Sequence, residues 1–91
     1  MNTVFEWDEH KQQSNLVKHG LDFRLANLVF DGHPAIHVPS RYPDEERYLT
    51  VSMVDDRFIT VVWTWRGEVI RLISARRARN QEIQQYHVYV D

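Results

Sequence analysis

Arginine dominates one stretch of this 91-residue chain. Between positions 66 and 79 stand Arg66, Arg71, Arg76, Arg77 and Arg79, opposed only by Glu68. A guanidinium is planar, stays charged and can pair two oxygens of one phosphate at once. A surface built from several of them suits a phosphate group, with an attraction that salt weakens. Histidine, the side chain that titrates nearest neutrality, is the natural proton carrier for chemistry beside such a group. His19, next to Lys18, is the leading candidate, although a histidine in the last turn of a helix can simply interact with the free carbonyls and the helix dipole. His33 and His37 fall in or near a loop, and His10 and His87 read as surface residues. No HxH, HExxH or CxxC spacing occurs, so no metal site is expected.

The arginines must be positioned by the elements around them. Residues 57–79 read as a β-hairpin reversing at Arg66-Gly67, where glycine supplies a positive φ, followed by an element that opens on arginines. Pairing Trp65 with Glu68, Trp63 with Ile70 and Val61 with Leu72 gives one continuously apolar face. The other face then carries Thr60, Thr64 and Arg71, with Arg66 at the tip. Upstream, Val4 to Trp7 is a short edge strand. Asp8 caps a helix over residues 9–18 that stops at Gly20, with Leu16 as its apolar anchor and Val17 beside it. Asp22 caps a second helix that ends before Asp31-Gly32-His33-Pro34. Residues 35–38 and 47–54 are strands separated by a proline-bearing loop, and Asp55-Asp56 is a turn. Residues 80–89 form a last helix in which Ile83, Tyr86 and Val90 share a face. The order β-α-α-β-β-β-β-α predicts an α+β domain spanning residues 1–91, with two N-terminal helices and a C-terminal helix packed on one face of a small antiparallel sheet.

Composition narrows the class of protein. A hydrophobic share of 43% with three Trp, four Tyr and four Phe argues for a folded chain rather than a disordered one. The formal net charge is −2, so any basic surface is local rather than global. There is no cysteine, which excludes disulfides and thiolate chemistry and is compatible with the cytoplasm. The first ten residues lack the pattern of a secretory signal, and no apolar run reaches the roughly 20 residues that span a bilayer.

Several runs together resemble one family. Phe5-Glu6-Trp7-Asp8, Lys11, Asn15, Lys18-His19-Gly20, Phe23, Ala26 and Val29-Phe30-Asp31 are similar to the opening of the BrnT toxins of bacterial type II toxin–antitoxin systems. Glu45-Glu46-Arg47 entering a strand, Thr64-x-Arg66, Arg71-x-Ile73-Ser74-Ala75-Arg76-Arg77-Ala78, Glu82 and Tyr86 continue the resemblance. Where many relatives have a His-Ser pair before the acidic run, this chain has Arg41-Tyr42-Pro43. The resemblance implies a RelE-like fold and a cytoplasmic endoribonuclease that inhibits translation without a cofactor. It also implies neutralisation by a BrnA-like antitoxin of the ribbon-helix-helix type, as a heterotetramer that touches DNA only through the antitoxin.

RNA cleavage without a metal needs cations on the phosphate, a base for the 2′-hydroxyl and an acid for the 5′-oxygen. Under that implication Arg66, Arg76, His19 and Lys18 are the candidate catalytic residues. Arg71, Arg77, Thr64, Ser74, Trp65 and Tyr86 are candidates for RNA contact. Glu45 and Glu46 can act as acid–base or orienting groups, or form an acidic loop. His33 and His37 can stand in for the family histidine. Tyr86 fits core packing as well as base stacking, and Ser74 fits helix capping as well as a phosphate contact.

Overall fold

Two tight turns organise the sheet. In the computed structural model, which describes residues 4–31, 34–40 and 46–90, strands β3 (Arg47–Val54), β4 (Arg57–Arg66) and β5 (Val69–Arg77) form an antiparallel meander. The β3–β4 loop is Asp55-Asp56, with φ of 51° and 64°. That is the left-handed pair a two-residue I′ loop requires, and one that aspartate tolerates. The β4–β5 loop is Gly67-Glu68, with Gly67 at φ 62° in the first position. Glycine has to occupy that place, so Trp65 pairs with Ile70 and Trp63 with Leu72. The expected pairing is therefore off by two residues, and a slip of two leaves the apolar face unchanged.

Strand β2 (Ala35–Ser40) continues the sheet beyond β3, and β1 (Phe5–Glu6) closes the other edge beside β5. The order is β1-β5-β4-β3-β2, and β1 runs parallel to β5, with Phe5 opposite Ile70 and Glu6 opposite Arg71. The sheet is thus mixed, not wholly antiparallel as the sequence suggested. A strand that begins the chain and pairs with the fifth strand is not joined to it by a hairpin, so nothing local forces it to run antiparallel.

The helices do not share one face. Helix α1 (Glu9–His19), a 3₁₀ turn (Phe23–Leu25) and α2 (Ala26–Val29) lie with Leu21, Phe23 and Val29 against Ile59, Val61, Trp63, Ile70, Leu72 and Ala75. Helix α3 (Asn80–Val90) lies on the opposite side, where Tyr86 packs with Ile36, Val51 and Phe58. The physical reason is the second apolar row: Val51, Phe58 and Ile36 alternate with the first row and need their own cover. No helix among the described residues is long and apolar enough to cross a membrane.

The caps on α1 follow the sequence. Asp8 accepts the backbone N–H groups of His10 and Lys11, and Gly20 closes the helix at φ 69° by donating to the Leu16 carbonyl. Its buried face does not follow. Leu16 is 40% exposed and Val17 87%, whereas Gln12 and Asn15 are buried. Asn15 donates to the Leu21 and Ala75 carbonyls and accepts the Ala75 N–H at 3.0 Å, so one amide side chain serves the edge of β5 as a partner strand would. Gln12 accepts the Phe23 N–H and donates to Asp22, which caps the 3₁₀ turn. Every buried side-chain polar atom among the described residues is paired.

Candidate active site

A bulge decides where the arginines point. Trp63 lies opposite Leu72 but Val62 lies opposite Ser74, so Ile73 is an extra residue in β5. Beyond it the alternation flips: Ala75 enters the core opposite Val61, and Arg76 turns to the α3 side opposite Thr60. Before it, Arg71 lies opposite Thr64 on that same α3 side. Arg66 shares the face with Thr64, two residues away, and Arg47 shares it because Tyr48 points the other way, onto Trp63. One face of the sheet therefore carries Arg47, Arg66, Arg71 and Arg76. Helix α3 covers its far half and leaves the hairpin half open.

The arginines are in unlike environments. Arg76 is nearly buried, its side chain 16% exposed against 10% for Glu82. Its Nη1 and Nη2 donate to the two Glu82 oxygens at 2.9 Å each. The Glu82 carboxylate also accepts the Thr60 hydroxyl at 2.9 Å and the Arg79 N–H at 2.7 Å. Burial alone would raise the Glu82 pKa. The Arg76 bonds, the Arg79 N–H and the Thr60 hydroxyl overcome that and hold it down at about 2. Arg71 makes a looser pair with Glu6 on β1 at 2.8 Å, with side chains 28% and 41% exposed. Arg66 is exposed beside the loop. Arg77, opposite Ile59, faces away from this group.

The candidates do not all meet. Arg76 lies opposite Thr60 and Arg71 opposite Thr64, a separation of about 13 Å along the strand. Helix α1 runs beside β5 in the strand's own direction, from the β1 pairing at Arg71 to the Asn15 contact at Ala75. His19 and Lys18 follow Asn15, so they lie about 20 Å from the level of Arg66. Ser74 sits inside β5 and its hydroxyl donates to Asn15, so it caps no helix. Tyr86 is buried edge-on to Phe58 at 5.2 Å, a core residue rather than a stacking platform. Thr64 is buried and donates to the Glu46 carbonyl oxygen. Glu45, His33 and Arg41-Tyr42-Pro43 lie outside the described residues.

A second group lies at the rim, on the side of Trp63. Trp65 is 50% exposed and stands edge-on to Trp63 at 5.3 Å. Tyr48 stacks on Trp63 at 4.8 Å and donates its hydroxyl to Glu46 Oε2 at 3.1 Å. That bond raises the Tyr48 pKa. On the same side Thr50 Oγ1 accepts the Trp63 indole N–H at 2.7 Å and lies 2.7 Å from His37 Nδ1. If the hydroxyl proton is given to Nδ1, neutral His37 carries its proton on Nε2. His37 is thus tied to the Trp63 side and not to the arginine face. Sequence reasoning passed over Tyr48 and Arg47. They open β3, and their place directly after Glu45-Glu46 was the available signal. Among the described residues no three His, Asp or Glu side chains gather as a metal would need.

The fold thus defines a small α+β protein with a mixed sheet, several arginines on one of its faces and a half-exposed indole at the rim. The chain belongs to the BrnT family, matching over residues 7–82 the family described as the ribonuclease toxin, BrnT, of type II toxin–antitoxin systems. It is thereby a ribonuclease toxin that works with an antitoxin partner. No curated relative matches the chain.

Proposed function

We propose that this toxin is a metal-independent endoribonuclease that acts in the cytoplasm and inhibits translation, with its phosphate site at the hairpin half of the arginine face. Cleavage proceeds by attack of a 2′-hydroxyl on the adjacent phosphorus while the bond to the 5′-oxygen breaks, leaving a cyclic phosphate and a 5′-hydroxyl. Arg66 and Arg71 neutralise the charge that grows on the phosphate oxygens. Thr64 positions the strand between them. Lys18, His19 and Arg77 contact the RNA backbone farther along, and the two proton transfers belong to groups at the hairpin end. The observation that carries this reading is the cross-strand placement of Arg71 opposite Thr64, two residues from Arg66 and outside the cover of α3.

The partner is a BrnA-like antitoxin of the ribbon-helix-helix type. It covers this face with carboxylates, assembles with the toxin as a heterotetramer and alone touches operator DNA. A second reading, an inactive homologue that works only through complex formation, draws support from the internal pairing of Arg71 and Arg76 with Glu6 and Glu82. Incubating purified protein with RNA in the presence of a chelator separates the two. The nuclease reading expects cleavage by the wild type and a loss of roughly 10²–10³-fold in Arg66→Ala, the scale for removing one preorganised charge-stabilising donor. Intact RNA with the wild type, with and without added magnesium, leaves the binding module. Cleavage only with magnesium overturns the metal-independent claim.

A further inference from the structure

We infer that the cleft at the hairpin rim is a nucleobase subsite selective for guanine, with Trp65 as the stacking surface and Glu46 as the reader of the base edge. The cleft is open to solvent, offers about 210 Å³ and is lined by Glu46, Tyr48, Thr64 and Trp65. That lies below the roughly 300–1,000 Å³ of sites for drug-sized ligands and suits one flat ring system. The inference rests on the ribonuclease reading for the source of the base, and on this geometry for its identity.

Two of the walls rest on one buried ring. Trp63 is buried and braces both neighbours, with Tyr48 near-parallel to it at 28° and Trp65 at 86°. Trp65 therefore offers an indole whose orientation is set before any ligand arrives, which spares the ordering cost of a free side chain. Stacking of a base on an aromatic ring is the general route by which single-stranded RNA is held, at about 1–3 kcal/mol per base.

Glu46 is fixed at two points. Its backbone carbonyl accepts the Thr64 hydroxyl, and its Oε2 accepts the Tyr48 hydroxyl. The Tyr48 bond uses one of about four acceptor positions on the carboxylate and orients the rest. An ionised carboxylate only accepts, so it repels phosphate and favours a base edge with adjacent donors. Guanine presents N1–H and the N2 amino group side by side. Adenine and cytosine place an acceptor nitrogen next to their amino group, and uracil flanks its N3–H with two carbonyls. Arg66 follows Trp65 and faces the opposite side of the sheet, so a nucleotide stacked on Trp65 carries its phosphate across the hairpin tip toward Arg66. Glu46 thus has a reading task, distinct from proton transfer.

Mononucleotide binding tests this without any cleavage step. The four nucleoside 5′-monophosphates are titrated into the purified protein while tryptophan fluorescence is followed, with Trp65→Phe assigning the signal among the three tryptophans and a thermal melt confirming that each variant folds. The expected result is quenching by guanosine monophosphate at a Kd at least 10-fold below that of the other three. Glu46→Gln, which replaces one acceptor oxygen with a donor, should shrink that gap below 3-fold, and Tyr48→Phe should shrink it in part. Equal affinities for the four nucleotides, no binding, or an unchanged preference in Glu46→Gln overturns the subsite. Guanine-selective binding by a protein that leaves RNA intact upholds the subsite and sinks the nuclease. Cleavage without guanine-selective binding does the reverse.

Discussion

Replacing Glu82 by glutamine should unfasten α3 from the sheet. The Glu82 carboxylate accepts two N–H groups from Arg76, the Thr60 hydroxyl and the Arg79 N–H. Residue 82 stands three places after Arg79, so the last bond is the return half of a capping box. Glutamine keeps the shape but not the charge. It leaves a guanidinium that is 16% exposed without a counter-ion, and breaking a buried pair in this way costs about 3–5 kcal/mol. The depressed pKa gives a second measure. A fall from 4.5 to about 2 corresponds to about 3 kcal/mol of stability at neutral pH. For a chain of this size about 3 kcal/mol lowers Tm by roughly 12–24 °C.

The pH dependence carries the sharper test. A carboxylate whose folded pKa is depressed stabilises the fold above its unfolded value and loses that contribution as pH falls through the folded one. Urea denaturation of the wild type should therefore show this stabilisation intact above about pH 4.5 and fading toward pH 2. Glu82→Gln has nothing to protonate at this position. The gap between the two proteins should be widest at neutral pH and should narrow by about 3 kcal/mol at pH 2. A gap below about 1 kcal/mol at pH 7, or one that stays constant down to pH 2, refutes the claim that this ion pair holds the helix.

Other substitutions probe the rest of the structure. Asn15→Leu keeps the branched skeleton but orphans both backbone groups of Ala75 and should cost about 3 kcal/mol in urea denaturation. Thr50→Val removes the oxygen that accepts the buried Trp63 indole N–H and should cost about 1–3 kcal/mol, with a shift in tryptophan emission. Gly67→Ala meets no steric obstacle but retains φ 62°, so it should destabilise the hairpin by about 1–2 kcal/mol, seen as a lower Tm. His19→Ala should keep cleavage within about 3-fold of wild type in the RNA assay. A loss as large as that of Arg66→Ala would return His19 to the reacting centre and refute the separation along β5.

Local chemistry was legible in the sequence and distant pairing was not. Asp8, Gly20 and the Asp55-Asp56 turn each act within four residues and are where their types predict, whereas Asp22 caps the 3₁₀ turn before α2 and the second loop is Gly67-Glu68 rather than Arg66-Gly67. The alternation of Ile59, Val61 and Trp63 gave the right face even though the register slipped by two. Apolar periodicity failed on α1 because its anchors are amides: Asn15 satisfies a sheet edge contributed from sixty residues away. It failed on α3 because Ile83, Tyr86 and Val90 show that a helix is amphipathic but not which face of the sheet it covers. The bulge at Ile73 carries no glycine or other local mark, so the flip that sends Arg76 to α3 could be seen only in the pairing.

The pairing of two arginines with internal carboxylates sets an order among them for phosphate. The Arg71–Glu6 bridge lies at the surface, where such pairs are worth about 0–1 kcal/mol, so an arriving phosphate can displace Glu6 at little cost. The Arg76–Glu82 bridge is shielded and shares its carboxylate with Thr60 and the cap of α3. Moving Arg76 to a phosphate would break both of its bonds to Glu82 and leave a shielded anion held only by the Thr60 hydroxyl and the Arg79 N–H. Arg71 is therefore available and Arg76 is committed, which makes Arg76→Ala a lesion of folding before it is one of catalysis. A variant with Arg76→Met paired with Glu82→Met removes both charges together, and replacing a whole buried pair with apolar groups is often tolerated. If that double variant folds and still cleaves RNA, Arg76 serves the scaffold. If it folds and is inactive while Arg71→Ala is fully active, the order is reversed and the phosphate lies deeper under α3 than the open half of the sheet.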